Sequence, residues 1–246
     1  MSGAATASGT SVATDERPFP AISEVAKTGW LIAAIVAHNL VYPIAATGLL
    51  GTVAFYGFYA SIFAVGTWVL THDRTLRMAA LLTGAGVLVA GVWAGLGAEP
   101  VLAVGAEDGT GPGRAPAVFL TSIAYHAVFV WVLARYTFGA RQVMTETILA
   151  ATALYLVIGS GFAAVFATVE WLQPGSFVGP DGPVASWQEH LYFSYVTLTS
   201  AGYGDILPRR PIAQATAVAE AIVGVLYTVI LLARLVGLHA APPAKP

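Results

Sequence analysis

The residues best placed to do chemistry lie in one short stretch: Thr197, Thr199, Ser200, Ala201, Gly202, Tyr203, Gly204 and Asp205. Two glycines alternate there with residues that carry side chains. Glycine reaches backbone angles that other residues resist, so Gly202 and Gly204 let successive carbonyls point the same way. A row of such carbonyls can replace the water shell of a cation, and four copies would make a ring of oxygens at each level. The stretch lies between two long apolar runs. Before it, Trp187 to Val196 can form a short helix rich in aromatics; after it, Ile206-Leu207-Pro208 acts as a stop. The plain alternative is a glycine-rich turn joining two helices.

The elements that must hold this stretch are membrane helices. The chain has 246 residues, 57% hydrophobic and 10% charged, with mean hydropathy +0.74. That balance belongs to membrane proteins rather than soluble domains. The net charge of -2 gives no electrostatic case for a nucleic-acid partner, and the lack of cysteine excludes disulfides and thiolate metal sites. A spanning helix needs about 20 mostly apolar residues. Six candidates meet this: Gly29 to Thr47, Thr52 to Thr71, Met78 to Gly97, Ala115 to Arg135, Thr147 to Val169 and Pro211 to Gly237. Glu99 to Arg114 and Gln173 to Pro183 read as exposed loops. The first residues, Met1 to Pro20, lack the basic start and apolar core of a secretory signal.

Charge sets the orientation. With both termini inside, Arg17, Lys27, Arg74, Arg77, Arg135, Arg141, Arg234 and Lys245 are inside, leaving Arg114, Arg209 and Arg210 outside. This is the positive-inside bias. Glu99, Glu107, Asp108, Glu170, Asp181, Glu189 and Asp205 then make the outer face acidic, which would concentrate cations at an outer mouth. Ordinary loop solvation is the alternative. A carbonyl-lined backbone cannot face lipid. With one copy per chain and a ring needed at each level, a symmetric tetramer follows.

Ser200-Ala201-Gly202-Tyr203-Gly204-Asp205 resembles the selectivity filter of potassium channels, T-x-G-Y-G-D. The resemblance is specific from about Thr145 to Leu238; over the first four spans it rests on layout and polarity. It implies an all-α membrane protein of six transmembrane helices, with a re-entrant pore helix and filter between the fifth and sixth. It implies potassium as the permeant ligand, held by the carbonyls of Ser200, Ala201, Gly202 and Tyr203 and the Ser200 hydroxyl. Thr199, Gly204 and Asp205 would support the filter. Tyr203 would point its ring into a cuff of Tyr192 and Phe193, where relatives often have tryptophan, and Tyr192 could hydrogen-bond Asp205. Ser200 stands where threonine is usual, and Ala201 where valine or isoleucine is usual. Alanine lacks the β-branching that stiffens backbone. Val196 replaces a carboxyl found in some channels. Gly224 falls at the inner-helix hinge; Val225, Thr228 and Leu232 would line a cavity, with Leu232 and Val236 a hydrophobic constriction.

Glu220 is the charged residue deep in the last span. Such a group usually has a partner or a function. The expected position is behind the filter, as a brace bonded to Ser194, Thr197 or a backbone amide, rather than as an ion ligand. Voltage-gated relatives carry arginine at every third position of the fourth span, yet Val118 to Leu133 contains no Arg or Lys. The layout is similar to small prokaryotic six-span potassium channels without a voltage sensor. His38-Asn39 and Tyr125-His126 are expected to form interhelical hydrogen bonds. Gly159-Ser160-Gly161 lacks a base that would make its serine a nucleophile.

The expected organisation is a flexible cytoplasmic tail (1–28), a four-helix membrane domain (29–138), a pore domain (139–239) and a short cytoplasmic tail (240–246). The expected function is a homotetrameric potassium-selective channel in the cytoplasmic membrane, with no enzymatic activity, cofactor, nucleic acid or small-molecule substrate. A weakly selective monovalent cation channel is one alternative. A transporter or sensor subunit using the loop structurally is another.

Overall fold

The computed structural model describes residues 26, 28–37, 53, 56–62, 66–67, 71, 73–95, 114–140, 144–184 and 186–240. Expectations for the tails, for His38, Asn39 and Tyr42, for Arg141, and for the acidic Glu99–Asp108 loop lie outside them, as does much of the first two candidate spans.

The apolar runs form helices. In chain order these are α1 (Thr28–Ala37), a helical piece α2 over residues 56–62, α3 (Arg74–Gly95), α4 (Arg114–Gly139), α5 (Thr145–Leu172), α6 (Trp187–Leu198) and α7 (Pro211–Ala240). Among the described residues, α3, α4, α5 and α7 are long and apolar enough to cross a membrane. Several of their hydroxyls bond back to their own helix: Thr121 donates to Ala117 O, Thr168 to Ala164 O and Thr216 to Ile212 O. This pattern suits a surrounding that offers no water. Pro211 opens α7 at a position where its missing N–H costs nothing.

The helices are joined as a chain of neighbours. α3 packs on α4, α4 on α5, and α5 meets both α6 and α7, which also meet each other. A core of Leu31, Tyr56, Ile62, Val87, Phe129, Leu133 and Leu154 joins α1 through α5. Its polar members pair across helices. Tyr59 Oη lies 3.2 Å from Ser122 Oγ and within 3.2 Å of the His126 ring, and Tyr125 Oη donates to Ala60 O at 2.8 Å. From Ala115 to Ala134 α4 presents no Arg or Lys; Arg135 follows, close enough to Asp73 at the start of α3 to act on its charge.

Beyond α5 the chain builds a three-stranded antiparallel sheet of order β2-β1-β3, from β1 (Phe177–Gly179), β2 (Gly182–Pro183) and β3 (Leu207–Pro208). β1 precedes α6 and β3 follows the glycine-rich stretch, so the sheet joins the two ends of that excursion: Val178 pairs with Leu207 and Phe177 with Pro208. The turn into the sheet is closed by Glu170, whose two oxygens accept from Gly175 N (2.6 Å) and Phe177 N (2.9 Å). Glu170 is buried. This corrects its place in an acidic outer face, because its carboxylate is consumed by backbone amides.

Candidate pore and ion site

α6 starts with a capping box. Ser186 Oγ accepts from Glu189 N at 3.2 Å, and Glu189 Oε2 accepts from Ser186 N at 2.9 Å. Glu189 is therefore also committed to structure. One face of α6 carries large apolar side chains inward. Phe193 sits among Phe166 and Phe177, with centroids at 5.1 and 5.3 Å. The other anchor is Tyr195, received by α5 at Gly159. A Cβ on Gly159 would stand 2.5 Å from the Tyr195 ring. Tyr195 Oη then donates to Leu156 O at 2.9 Å and lies 3.2 Å from Ser160 Oγ. The Gly159-Ser160 pair, examined in the sequence only for hydrolytic chemistry, is a packing slot; small residues on a membrane helix were the signal that could have found it.

The glycine-rich stretch leaves the C-terminal end of α6. Ser200, Gly202 and Gly204 take φ of 58, 56 and 78°, while Ala201 and Tyr203 between them keep negative φ. Backbone hand thus alternates over five residues. A serine in the left-handed region is uncommon and persists where its surroundings over-determine it. Here the determinants are amides turned back onto α6: Thr199 N to Tyr195 O (3.0 Å), Ser200 N to Thr197 O (2.9 Å), and Ala201 N and Gly202 N to Val196 O (2.9 and 3.3 Å). With the N–H groups held behind, no described donor bonds the carbonyls of Ser200, Ala201, Gly202 or Tyr203. Residues 199–205 are all exposed in the single chain.

Tyr192 holds the far end. Its Oη donates to Asp205 Oδ2 at 2.6 Å, and its ring stacks on Tyr203, with centroids 6.5 Å apart and an interplanar angle of 11°. That bond holds the Asp205 carboxyl below the usual carboxylate range and, from the other side, pushes the Tyr192 hydroxyl up to about 12. Phe193, expected beside Tyr203, is instead buried against Phe166 and Phe177. Successive residues on a helix point about 100° apart, so Tyr192 and Phe193 cannot face one ring together.

α7 closes the site from behind. Glu220 is fully buried and its Oε1 meets Ser194 Oγ at 2.5 Å. One turn later, a Cβ on Gly224 would lie 2.0 Å from Leu198 O, the carbonyl that also accepts from Tyr155 Oη at 3.1 Å. Val225, Thr228, Leu232 and Val236 are exposed along α7. At its far end Arg234 donates to Ala140 O and lies over the Phe138 ring. Among the described residues no three His, Asp or Glu side chains group to hold a metal ion, so oxygen ligands at this site would come from the backbone and Ser200.

Residues 142–238 match the family model described as "Ion channel". Two pore potassium channel c of Oryza sativa subsp. japonica is 35% identical over 82 residues, 33% of this chain and 16% of that relative. Over these residues the chain is similar to ion channels. The pore-family match begins at the connection between α4 and α5 and ends in the last turn of α7, so it takes in every contact just described around α6. The chain spans about a sixth of the length of its rice relative. No solved structure matches it.

Proposed function

We propose that the chain is a potassium-selective channel, four copies of which surround one filter made of Ser200, Ala201, Gly202 and Tyr203. The observation that carries the reading is the alternating backbone hand at Ser200, Gly202 and Gly204, with amides bonded to α6 and carbonyls left free. Carbonyls in such a row replace an ion's hydration shell, and ions advance by mutual repulsion between adjacent sites. The Ser200 hydroxyl supplies the innermost oxygen. The C-terminal end of α6 adds a partial negative charge that favours a cation.

Exposure argues for the assembly. A backbone with free carbonyls cannot face hydrocarbon, and α7, which packs on α6, has only 22% of its most apolar window buried in one chain. Both would be covered by neighbouring copies, with α6 and the filter re-entering the membrane between α5 and α7. The four-helix part (29–138) would surround the pore part (139–239) without a voltage sensor of the arginine type, since α4 carries no Arg or Lys from Ala115 to Ala134. The chain would lie in a cytoplasmic membrane with Arg74, Arg77, Arg135 and Arg234 on the inner side. No catalytic step or cofactor enters this reading.

The deciding measurement is the reversal potential of the purified protein in lipid between potassium and sodium. Selectivity for potassium and a four-fold particle are expected; a monomeric or dimeric particle that passes no ions would sink the proposal. A weakly selective channel is the second reading, favoured by the exposed, unbranched Ala201. Ala201→Val should then raise the potassium-to-sodium permeability ratio, and an unchanged ratio removes that reading.

A further inference from the structure

Ser194 sits where three helices meet. Its Oγ is 2.7 Å from Gly159 O on α5 and 2.5 Å from Glu220 Oε1 on α7. A serine hydroxyl has one proton, a carbonyl has none, and an ionised carboxylate only accepts. If Glu220 were ionised, one of these two contacts would set lone pairs against each other inside hydrogen-bond distance. Both are hydrogen bonds when Glu220 supplies the second proton. The remaining oxygen agrees: Glu220 Oε2 is buried without a partner among the described residues, where a full charge would be costly and a neutral carbonyl oxygen much less so.

We infer that Glu220 stands as the neutral carboxylic acid, donating to Ser194, which donates to the Gly159 carbonyl, so that a single proton on α7 positions the pore helix against α5. Its consequence for ions rests on the channel reading above; the proton itself does not. The relay lies one turn from the contact of Gly224 with Leu198 O, so α7 grips α6 in two successive turns just ahead of Ser200. Glu220 is a positioning residue here and touches no ion. Its surroundings offer no compensating cation. α5 presents Tyr155, committed to Leu198 O; α6 presents Tyr195, committed to Leu156 O, and His190 a turn earlier, with Nδ1 at Ser186 O. α7 itself carries no other ionisable side chain from Pro211 to Leu226. Loss of the proton would turn the Ser194 hydroxyl to the carboxylate and leave Gly159 O without its donor.

Infrared difference spectra of the full chain in lipid, wild type against Glu220→Gln at neutral pH, test the proton directly. Loss of one carboxylic-acid C=O band is expected; loss of a carboxylate band instead overturns the inference, whether or not the protein conducts. Potassium flux tests the positioning. Glu220→Gln keeps an N–H for Ser194 and should rescue what Glu220→Ala loses, about tenfold in flux for a buried hydrogen-bonding group left unpaired. The wild type should also lose flux on alkaline titration, and Glu220→Gln should not. A glutamine variant as impaired as the alanine variant, in a wild type that conducts, overturns the relay; a silent wild type counts against the channel reading and leaves the infrared result to decide the proton.

Discussion

At Gly224 a single hydrogen atom in place of a side chain lets α7 lie against the Leu198 carbonyl. A mid-helix glycine usually costs about 1 kcal/mol relative to alanine, so a glycine needed only for bending would be stabilised by replacement. The 2.0 Å approach that a Cβ would make predicts the reverse. Gly224→Ala should destabilise the assembled protein by about 2 kcal/mol, the usual cost of overpacking, as read by thermal unfolding in detergent. A rise in melting temperature would return the residue to a purely hinging role. Tyr192 gives a pH-dependent case. Its hydroxyl favours the charged form of Asp205, so that contribution is complete above the ordinary aspartate range and is lost as pH falls through the lowered value. Tyr192→Phe should let acid disrupt the outer mouth earlier, with the onset moving up toward ~3.9, the ordinary aspartate value; flux followed through an acid series checks this. The left-handed backbone at Gly202 and Gly204 was legible in the sequence because glycine spacing is a backbone statement. The depth of Gly224 in a packing slot was not, since it depends on which carbonyl of another helix happens to lie opposite.

At the scale of elements, the turn after α5 and the far end of α7 carry testable contacts. Glu170→Gln leaves one oxygen for two amides and sets an NH₂ against a donor, which should cost ~1–3 kcal/mol and loosen the β1 entry; hydrogen exchange at Gly175 and Phe177 would report it. Arg234→Met removes the donor to Ala140 O and the cation over Phe138 while keeping an apolar stem. It should leave α6 unaffected and increase exchange in the connection after α4. The helices α3, α4, α5 and α7 were legible from length and hydropathy, with ends displaced by a few residues because an apolar run does not mark where a helix starts or stops. The small sheet was not legible. Phe177–Gly179 and Leu207–Pro208 are too short for any alternation to register, and their pairing is fixed by the excursion between them.

At the scale of the whole molecule, Arg135 near the end of α4 acts on Asp73 at the start of α3, and Arg234 of α7 reaches Ala140 just after α4, so these basic residues share one end of the helices. The acidic face expected from composition loses two members, because Glu170 and Glu189 are tied into a turn and a helix cap. Length and polarity alone cannot distinguish a free carboxylate from one that caps backbone amides.

The pairing of β1 with β3 also bears on the order in which the protein is made. Val178 and Leu207 lie on either side of α6 and the glycine-rich stretch, and closing so long a segment costs conformational entropy before any contact repays it. α6 has twelve residues, too few to be stable alone in water. Its partners Gly159, Glu220 and Gly224 come from helices made before and after it. The glycine-rich stretch is therefore a late product of synthesis, formed once α7 has returned to cover α6. A chain halted before Pro211 should insert α3 to α5 normally, yet be cut readily by protease between Phe177 and Pro208.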